Sequence, residues 1–232
     1  MKVSVIIPAF NEERTIIKLL NNVNQQKKKF DLEIIVSDDG STDKTKILLE
    51  ENSNLYDKLI LSEVNKGKGC AMRKGIEAST GDILLFQDAD MEYDPKDYSK
   101  LIKPFIENNA DVVYGTRFIS SKPRRVIYFT HRLANFLITT MVNFFTNINF
   151  SDVETGYKLL RKEVLRSVKL NENSFGIEIE ITMKIAKLNL KIFEVGISYN
   201  GRTYDEGKKI TFKDGLIAFI LILKYFFTSA HR

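Results

Sequence analysis

A single cysteine, Cys70, rules out an intrachain disulfide and fits a reducing, cytoplasmic setting. As a small filler on a helix it reads more simply than as a catalytic thiol. Two histidines are too few for a histidine-rich metal site. No apolar stretch approaches the roughly 20 residues a bilayer-spanning helix requires, and the longest unbroken one covers only residues 216–223. The apolar run at residues 3–8 is closed by Pro8 and is too short for the core of a secretory signal. The Gly-x-x-x-x-Gly-Lys-Ser/Thr spacing of a phosphate-binding P-loop is missing. No recognition-helix, zinc or aromatic-sheet signature accompanies the basic residues, which argues against nucleic acid as a partner. Repeats, low-complexity tracts and long linkers are absent too.

What is present is ordinary globular material, 44% apolar and 28% charged, in a chain of 232 residues with ample length for one core. One domain spanning 1–232 is the economical reading. The net charge of +5 matters less than its placement. Cations crowd residues 122–132 and 202–213 beside aromatics, a pattern suited to phosphate groups or an anionic membrane face.

Residues 1–116 alternate strand and helix. Strands are expected at 3–8, 32–37, 58–62, 82–86 and 111–114. Helices are expected at 12–26, around Ile47, Leu48 and Leu49 after a Thr42 or Asp43 cap, at 69–79, and from an Asp94 cap with Pro95 to about Asn108. Such alternation over short links means an α/β fold whose ligand chemistry lies at the carboxyl ends of the strands. Beyond this, Leu133, Phe136, Leu137, Met141, Phe144, Phe145 and Ile148 recur at helical spacing. That stripe is expected to be core, or to lie at a membrane surface. A helix at 177–188, a strand through Phe193, Val195, Ile197 and Tyr199, and an apolar helix at 214–227 complete the reading.

Asp88-Ala89-Asp90 ends the apolar run Ile83-Leu84-Leu85-Phe86. Two carboxylates one residue apart at a strand mouth raise each other's pKa unless a cation intervenes, and Mg²⁺ or Mn²⁺ with substrate phosphates is the natural choice. A second acidic turn, Ser37-Asp38-Asp39-Gly40-Ser41, ends another strand. Asp39 can accept hydrogen bonds from a uracil or guanine edge, or the segment is a plain turn and cap. In Pro8-Ala9-Phe10-Asn11-Glu12-Glu13, Glu12 can hold a base or ribose, or simply sit at the positive end of a helix dipole. Asn65-Lys66-Gly67-Lys68-Gly69 can bring backbone N–H groups and one lysine, taken as Lys66, toward a diphosphate. Arg117 can meet a phosphate with fork geometry. Asp152 or Glu154 can serve as a base, or Glu154 and Lys158 can form a helix-surface pair. Glu178 and Glu180 read as a wetted helix face. The loop from Gly201 to Lys209, with Arg202, Lys208 and Lys209, has the residue types of a pyrophosphate clamp, or of a solvated hairpin.

Taken in order, Val3-Ser4-Val5-Ile6-Ile7-Pro8-Ala9-Phe10-Asn11-Glu12, Ser37–Ser41, Asn65–Gly69, Asp88-Ala89-Asp90, Val112-Val113-Tyr114-Gly115-Thr116-Arg117 and the 201–209 loop resemble family 2 glycosyltransferases nearly end to end. The polyprenyl-phosphate sugar synthase branch, with dolichyl-phosphate mannosyltransferase, is closest in flavour. The resemblance implies a GT-A fold, Rossmann-like, with a mixed and mainly parallel sheet flanked by helices and with acceptor-side helices at the C-terminus. Residues 1–117 would form the nucleotide-sugar half and 118–232 the acceptor, membrane-facing half.

It further implies that Pro8, Phe10 and Glu12 line the nucleotide pocket with Asp39 near the base, and that Asp88 contacts ribose or sugar. Asp90 would bind the metal, Mg²⁺ or Mn²⁺, with Glu92 adding an oxygen. Arg117 and Arg202 would meet phosphates, and Lys208 or Lys209 would close over the donor. The implied reaction is inverting transfer of a hexose from a GDP- or UDP-sugar to a polyprenyl phosphate, at the cytoplasmic face of a membrane with peripheral attachment. Arg117, Arg124, Arg125 and Arg132 are then the acceptor candidates. The alternative is transfer to a saccharide hydroxyl in cell-envelope polysaccharide or glycolipid synthesis, with Asp152 or Glu154 as base. Relatives of this branch place an arginine and a serine one turn apart on the acceptor helix. Here the segment is His131-Arg132-Leu133-Ala134-Asn135, so Arg132 matches loosely and the serine is replaced.

Overall fold

The computed structural model describes residues 1–119, 125–126, 128–207 and 212–228. Strands β1 (Val3–Ala9), β2 (Leu32–Asp38), β3 (Lys58–Leu61) and β4 (Ile83–Phe86) alternate with helices α1 (Ile16–Gln26), α2 (Thr45–Glu51) and α3 (Lys68–Ala78). Helix α4 (Tyr98–Glu107) and strand β5 (Val112–Thr116) continue the pattern. Then come α5 (Phe129–Thr146), β6 (Lys158–Arg161), α6 (Lys162–Arg166), α7 (Ile177–Ile185), β7 (Ile192–Gly196) and α8 (Phe212–Thr228).

The strands form one sheet in the order β3-β2-β1-β4-β6-β5-β7. All neighbours run parallel except β6, which lies antiparallel between β4 and β5. Both faces are buried, so the strands read as continuous apolar runs. On β1, Val3, Val5 and Ile7 pack with α1 and α4, while Ile6 points to the opposite layer with Met72 of α3, Val142 of α5 and Ile222 of α8. Burying each such side chain contributes about 1.5–3 kcal/mol.

β6 was not expected from the sequence. The spacing of Glu154 and Lys158 suits a helix-surface pair instead. In the fold Lys158 opens β6, is fully buried, and donates to Val153 O and Thr155 O at 2.9 and 2.6 Å. The reversal has a consequence for chemistry. Because β6 runs backwards, the segment that leads into it arrives at the same sheet edge as the carboxyl ends of β1, β2, β4 and β5.

Boundaries shift elsewhere for identifiable reasons. Helix α1 begins at Ile16, because Glu12 O takes the amides of Thr15 and Ile16 in the preceding turn. Asp94 caps as expected, accepting from Lys96 N at 3.0 Å, but it caps a 3₁₀ turn, Pro95–Asp97, that runs into α4. β7 stops at Gly196; Tyr199 forms only an isolated antiparallel bridge with Tyr93. On α5 the buried residues are Asn135, Ile138, Thr139 and Val142, and the apolar stripe is divided, with Met141, Phe145 and Ile148 packed against the core. Phe136, at 64%, and Phe144, at 80%, are exposed. Among the described residues no helix is long and apolar enough to cross a membrane.

Candidate active site

The carboxyl ends of β1, β2, β4 and β5, the approach to β6 and the chain after β7 surround a cleft of about 400 Å³. Pro8, Phe10 and Glu12 follow β1 into its wall, and Asp39 follows β2. Asp39 is buried and accepts the backbone N–H groups of Lys66 and Gly67 at 3.0 and 2.6 Å. This fastens the 65–69 loop to β2. Gly67, at φ 103°, and Gly69 permit the loop to pack against the backbone of Glu172 and Asn173, where a Cβ would collide. Lys66 contributes its amide there, and its side chain does not line the cleft. Lys68 does line it.

Lys68 is the residue the motif reading missed. It is the first residue of α3, and its Nζ bridges Asp88 Oδ1 at 2.7 Å and Glu178 Oε1 at 2.9 Å. Burial works against its charge, but the two carboxylates outweigh burial and raise its pKa. Glu178 is therefore not on a wetted face. It is buried between Lys68 and Lys158, whose attraction outweighs desolvation and lowers its pKa. Glu180 is buried as well, and accepts from Asn171, Glu172, Lys184 and Tyr225. In sequence, the only hint was that Ile177, Ile179 and Ile181 alternate with these glutamates instead of following helical periodicity. Gly156 matters for the same cluster, since a Cβ there would run into Asp88 Oδ2.

Past β4, Met91 adopts a left-handed φ of 64°, turning the chain between Asp90 and Glu92. Glu92 N donates to Asp90 Oδ1 at 3.1 Å and Tyr199 OH to Glu92 Oε2 at 2.8 Å. Arg202 reaches in from the chain after β7. Its Nη2 lies 2.7 Å from Asp90 Oδ2 and its Nη1 3.4 Å from Glu12 Oε2, while its backbone N donates to Glu92 Oε1 at 2.7 Å. Burial, then the charges of Asp88 and Glu92, push Asp90 up to about 7, with Arg202 pulling the other way. Three carboxylates, Glu12, Asp90 and Glu92, share this one guanidinium, an excess of negative charge.

Asp90 and Glu92 offer hard oxygen donors where a divalent ion would relieve that excess, and in this respect they fit one. Among the described residues no group of three or more His, Cys, Asp or Glu side chains is set to hold a metal alone. Two protein carboxylates completed by water and substrate phosphates is the pattern Mg²⁺-type ions use.

Arg117 follows β5 and lines the cleft. Asp152 lies behind it and is fully buried. It accepts Arg117 N, Nε and Nη2 at 3.1, 2.7 and 2.6 Å, and Asn135 Nδ2 at 3.0 Å. Both oxygens of Asp152 are thereby engaged, and Asp152 does not line the cleft. Glu154 does. Burial, against the partial compensation of Lys158, pushes its pKa up to about 7. Arg125 and Arg132, the other acceptor candidates among the described residues, do not line the cleft. Arg125 pairs with Glu206 at 2.6 Å and donates to Gly201 O at 3.3 Å, whereas Arg132 is exposed, its guanidinium 6.0 Å from the Phe118 ring that Arg117 also approaches. Arg124, Lys208 and Lys209 lie outside the described residues.

A mainly parallel sheet with one reversed strand, its carboxyl edge carrying an acidic turn and arginines around one cleft, is the GT-A architecture of sugar transferases. Solved structures of glucosyl-3-phosphoglycerate synthase from Mycobacterium tuberculosis share this fold. One holds Mn²⁺, uridine diphosphate and glucosyl-3-phosphoglycerate, and matches with a TM-score of 0.73 and 23% identity over 97% of this chain and 79% of that one. The family model described as glycosyl transferase family 2 matches residues 4–169, and the chain belongs to that family of enzymes. An uncharacterized protein of Methanocaldococcus jannaschii is 32% identical, over 88% of this chain and 93% of its own length. The dolichol-phosphate mannosyltransferase of Pyrococcus furiosus is 31% identical over 90% of this chain, which spans 61% of that relative's length. The dolichyl-phosphate beta-glucosyltransferase of Dictyostelium discoideum is 29% identical over 89% of this chain and 68% of its own.

Proposed function

We propose that this glycosyltransferase moves a hexose, with inversion, from a GDP- or UDP-sugar to a polyprenyl phosphate at the cytoplasmic face of a membrane. Residues 1–117 supply most of the donor site and residues 118–232 most of the acceptor and membrane side, with Arg202 reaching back to the donor and Arg117 toward the acceptor. The observation that carries the acceptor assignment is Arg117, a guanidinium still 15% exposed, fixed on buried Asp152 and lining the same cleft as Asp90. A cation in that position suits an anionic nucleophile. The names of the Pyrococcus and Dictyostelium relatives point the same way.

Pro8, Phe10, Glu12 and Asp39 bind the nucleoside, Arg202 the diphosphate, and Asp88 the ribose or sugar. Asp90 and Glu92 would hold Mg²⁺ or Mn²⁺, which when bound supplies neutralising charge for a departing diphosphate. Arg117 orients the acceptor phosphate, and Arg125 and Arg132 add positive charge on its approach. The acceptor oxygen attacks the anomeric carbon, the bond to the diphosphate oxygen breaks, and nucleoside diphosphate leaves with that electron pair. An ionised phosphate needs no base for this step. Arg202 stabilises the charge that develops on the leaving group.

Peripheral attachment is supported by the exposed faces of α5 and α8. Phe129, Phe136, Leu137 and Phe144 stand out from α5, and Leu216, Ile217, Phe219, Ile220 and Phe227 from α8. The two helices are joined by Phe145 and Phe226, whose ring centroids are 4.8 Å apart. Exposed apolar side chains of this kind, with Arg132 exposed on the same helix, suit an anionic interface.

Glu154 favours a second reading. A carboxyl pushed up to about 7 is matched to proton abstraction near neutrality, as a saccharide hydroxyl acceptor would require. Incubation with GDP- and UDP-hexoses, Mn²⁺ and either polyprenyl phosphate or oligosaccharide separates the two. A lipid-phosphate hexose, lost on chelation, is the expected product. Saccharide product without any lipid product sinks the first reading.

A further inference from the structure

The acceptor helix α5 presents opposite chemistry on its two sides, and its inner face carries one buried amide. Asn135 is only 7% exposed. Its Nδ2 donates to Asp152 Oδ1 at 3.0 Å, and its Oδ1 accepts from Thr139 Oγ1 at 3.2 Å, one turn further along α5. Thr139 Oγ1 in turn accepts from Val153 N at 3.3 Å, tying the helix to the strand approach that carries Asp152. Asp152 Oδ1 is shared between this amide and Arg117 Nη2 at 2.6 Å, while Oδ2 takes Arg117 Nε and the Arg117 backbone N–H. The amide thus sets which way the carboxylate plane faces, and the carboxylate plane sets the guanidinium plane.

We propose that Asn135 is a positioning residue for the acceptor: acting through Asp152, it holds Arg117 in the orientation that receives the acceptor's phosphate group. This deepens the polyprenyl-phosphate reading and rests on it. The side chain does not face the acceptor, because its polar atoms are spent on Asp152 and Thr139 inside the fold. Arg132, three residues earlier, is exposed, so one helix supplies cation outside and orientation inside. Phe136, the next residue, is 64% exposed. The helix that meets apolar surroundings is therefore the one that fixes the phosphate-reading arginine. A planar fork depends on orientation in a way that a point charge does not, so a lost anchor shows in acceptor use before it shows in donor use.

The test is a steady-state comparison of wild type and Asn135→Ala with polyprenyl phosphate and the best donor, each protein checked by thermal melting. The expected result is an acceptor KM about tenfold higher or a kcat about tenfold lower, with donor KM and Mn²⁺ requirement within twofold of wild type. In an Arg117→Lys background, which lacks the fork, Asn135→Ala should have no further effect on acceptor use. If Asn135→Ala does not fold, Thr139→Val, which releases the Asn135 carbonyl, is expected to shift the same parameters in the same direction. Equal changes in donor and acceptor KM, or full additivity with Arg117→Lys, would overturn the assignment while leaving the acceptor reading intact. Wild-type protein that makes no lipid-phosphate sugar overturns both.

Discussion

Arg202 Nη2 stands 2.7 Å from Asp90 Oδ2, so a side chain from beyond β7 occupies the carboxylate on which a divalent ion would sit. The Arg202 backbone simultaneously holds Glu92. Guanidinium and metal ion carry the same sign and compete for the same oxygens. Removing the guanidinium should therefore strengthen binding of the ion alone while weakening binding of the donor, whose phosphates Arg202 would meet. For Arg202→Gln the expected outcome is Mn²⁺ affinity several-fold higher by titration calorimetry without nucleotide. The same variant should show kcat/KM at least about 100-fold lower, in the range found for a lost charge-stabilising group. Unchanged or weaker Mn²⁺ binding would show that the two do not compete.

Asp90 gives the complementary result. Ligand that binds only the folded state stabilises by mass action, about 2.7 kcal/mol at 100 times the dissociation constant. Wild type should melt several degrees higher with Mn²⁺ and a nucleoside diphosphate, and Asp90→Asn should not respond. Its turnover should fall at least about 100-fold, with the fold kept because the carboxylate is a net burden where burial and like charges already push it up to about 7. An undiminished Mn²⁺ shift in Asp90→Asn would move the metal elsewhere.

Much of this site was legible in sequence because its parts are loops placed by strands. Once the strands ending at Ala9, Asp38, Phe86 and Thr116 are recognised, their carboxyl ends bring Glu12, Asp39, Asp90 and Arg117 to one edge. The pieces that escaped are those whose signal is non-local. β6 is a four-residue strand with only Leu159 and Leu160 to mark it, and its reversed direction is set by partners on both sides. Lys68 and Lys66 are indistinguishable in Asn65-Lys66-Gly67-Lys68-Gly69 until α3 is known to start at Lys68, which sends that side chain under Asp88. Asp152 looked like a base because acidity is visible in sequence and a partner 35 residues away, Arg117, is not. The apolar stripe of α5 left core and membrane surface both open for a similar reason. Apolar periodicity reports amphipathicity, but not which side meets the protein.

At the opposite edge of the sheet, Glu33 tests the fold without touching the chemistry. It is 4% exposed and accepts from Ser4 Oγ at 2.5 Å, Thr80 N at 2.8 Å and Thr80 Oγ1 at 2.9 Å, with Lys58 Nζ 3.0 Å away. Burial opposes its charge, but these partners outweigh burial and depress its pKa from 4.5 to about 2. A depressed carboxylate stabilises fully above its unfolded value and loses that contribution as pH falls through its folded value. Glu33→Gln should cost roughly 2 kcal/mol at pH 7, the scale of hydrogen bonds to a charged group. The gap to wild type should narrow as pH falls from 4.5 toward 2. Urea midpoints at neutral and acidic pH measure this, and a gap that is constant with pH would reject it. Donor KM should stay at the wild-type value.

Glu154 has the opposite sign. Its pKa rises from 4.5 to about 7 on folding, mainly through burial. Between those values the unfolded chain has released its proton and the folded chain has kept it, so stability falls as pH rises through the window. Above about 7 the folded protein carries the full cost of an ionised, poorly solvated carboxylate. Glu154→Gln removes the titration, so the variant should gain about 1–3 kcal/mol over wild type at pH 8 and nothing at pH 4.5. Its activity then identifies the nucleophile. With an ionised phosphate acceptor there is no proton to abstract, and kcat should stay within about tenfold of wild type. With a hydroxyl acceptor the loss should reach the 10²–10⁴-fold range of general-base removal. A stable Glu154→Gln that has lost all transfer to polyprenyl phosphate would mean that Glu154 works on that acceptor directly, and the base-free displacement proposed above would be wrong.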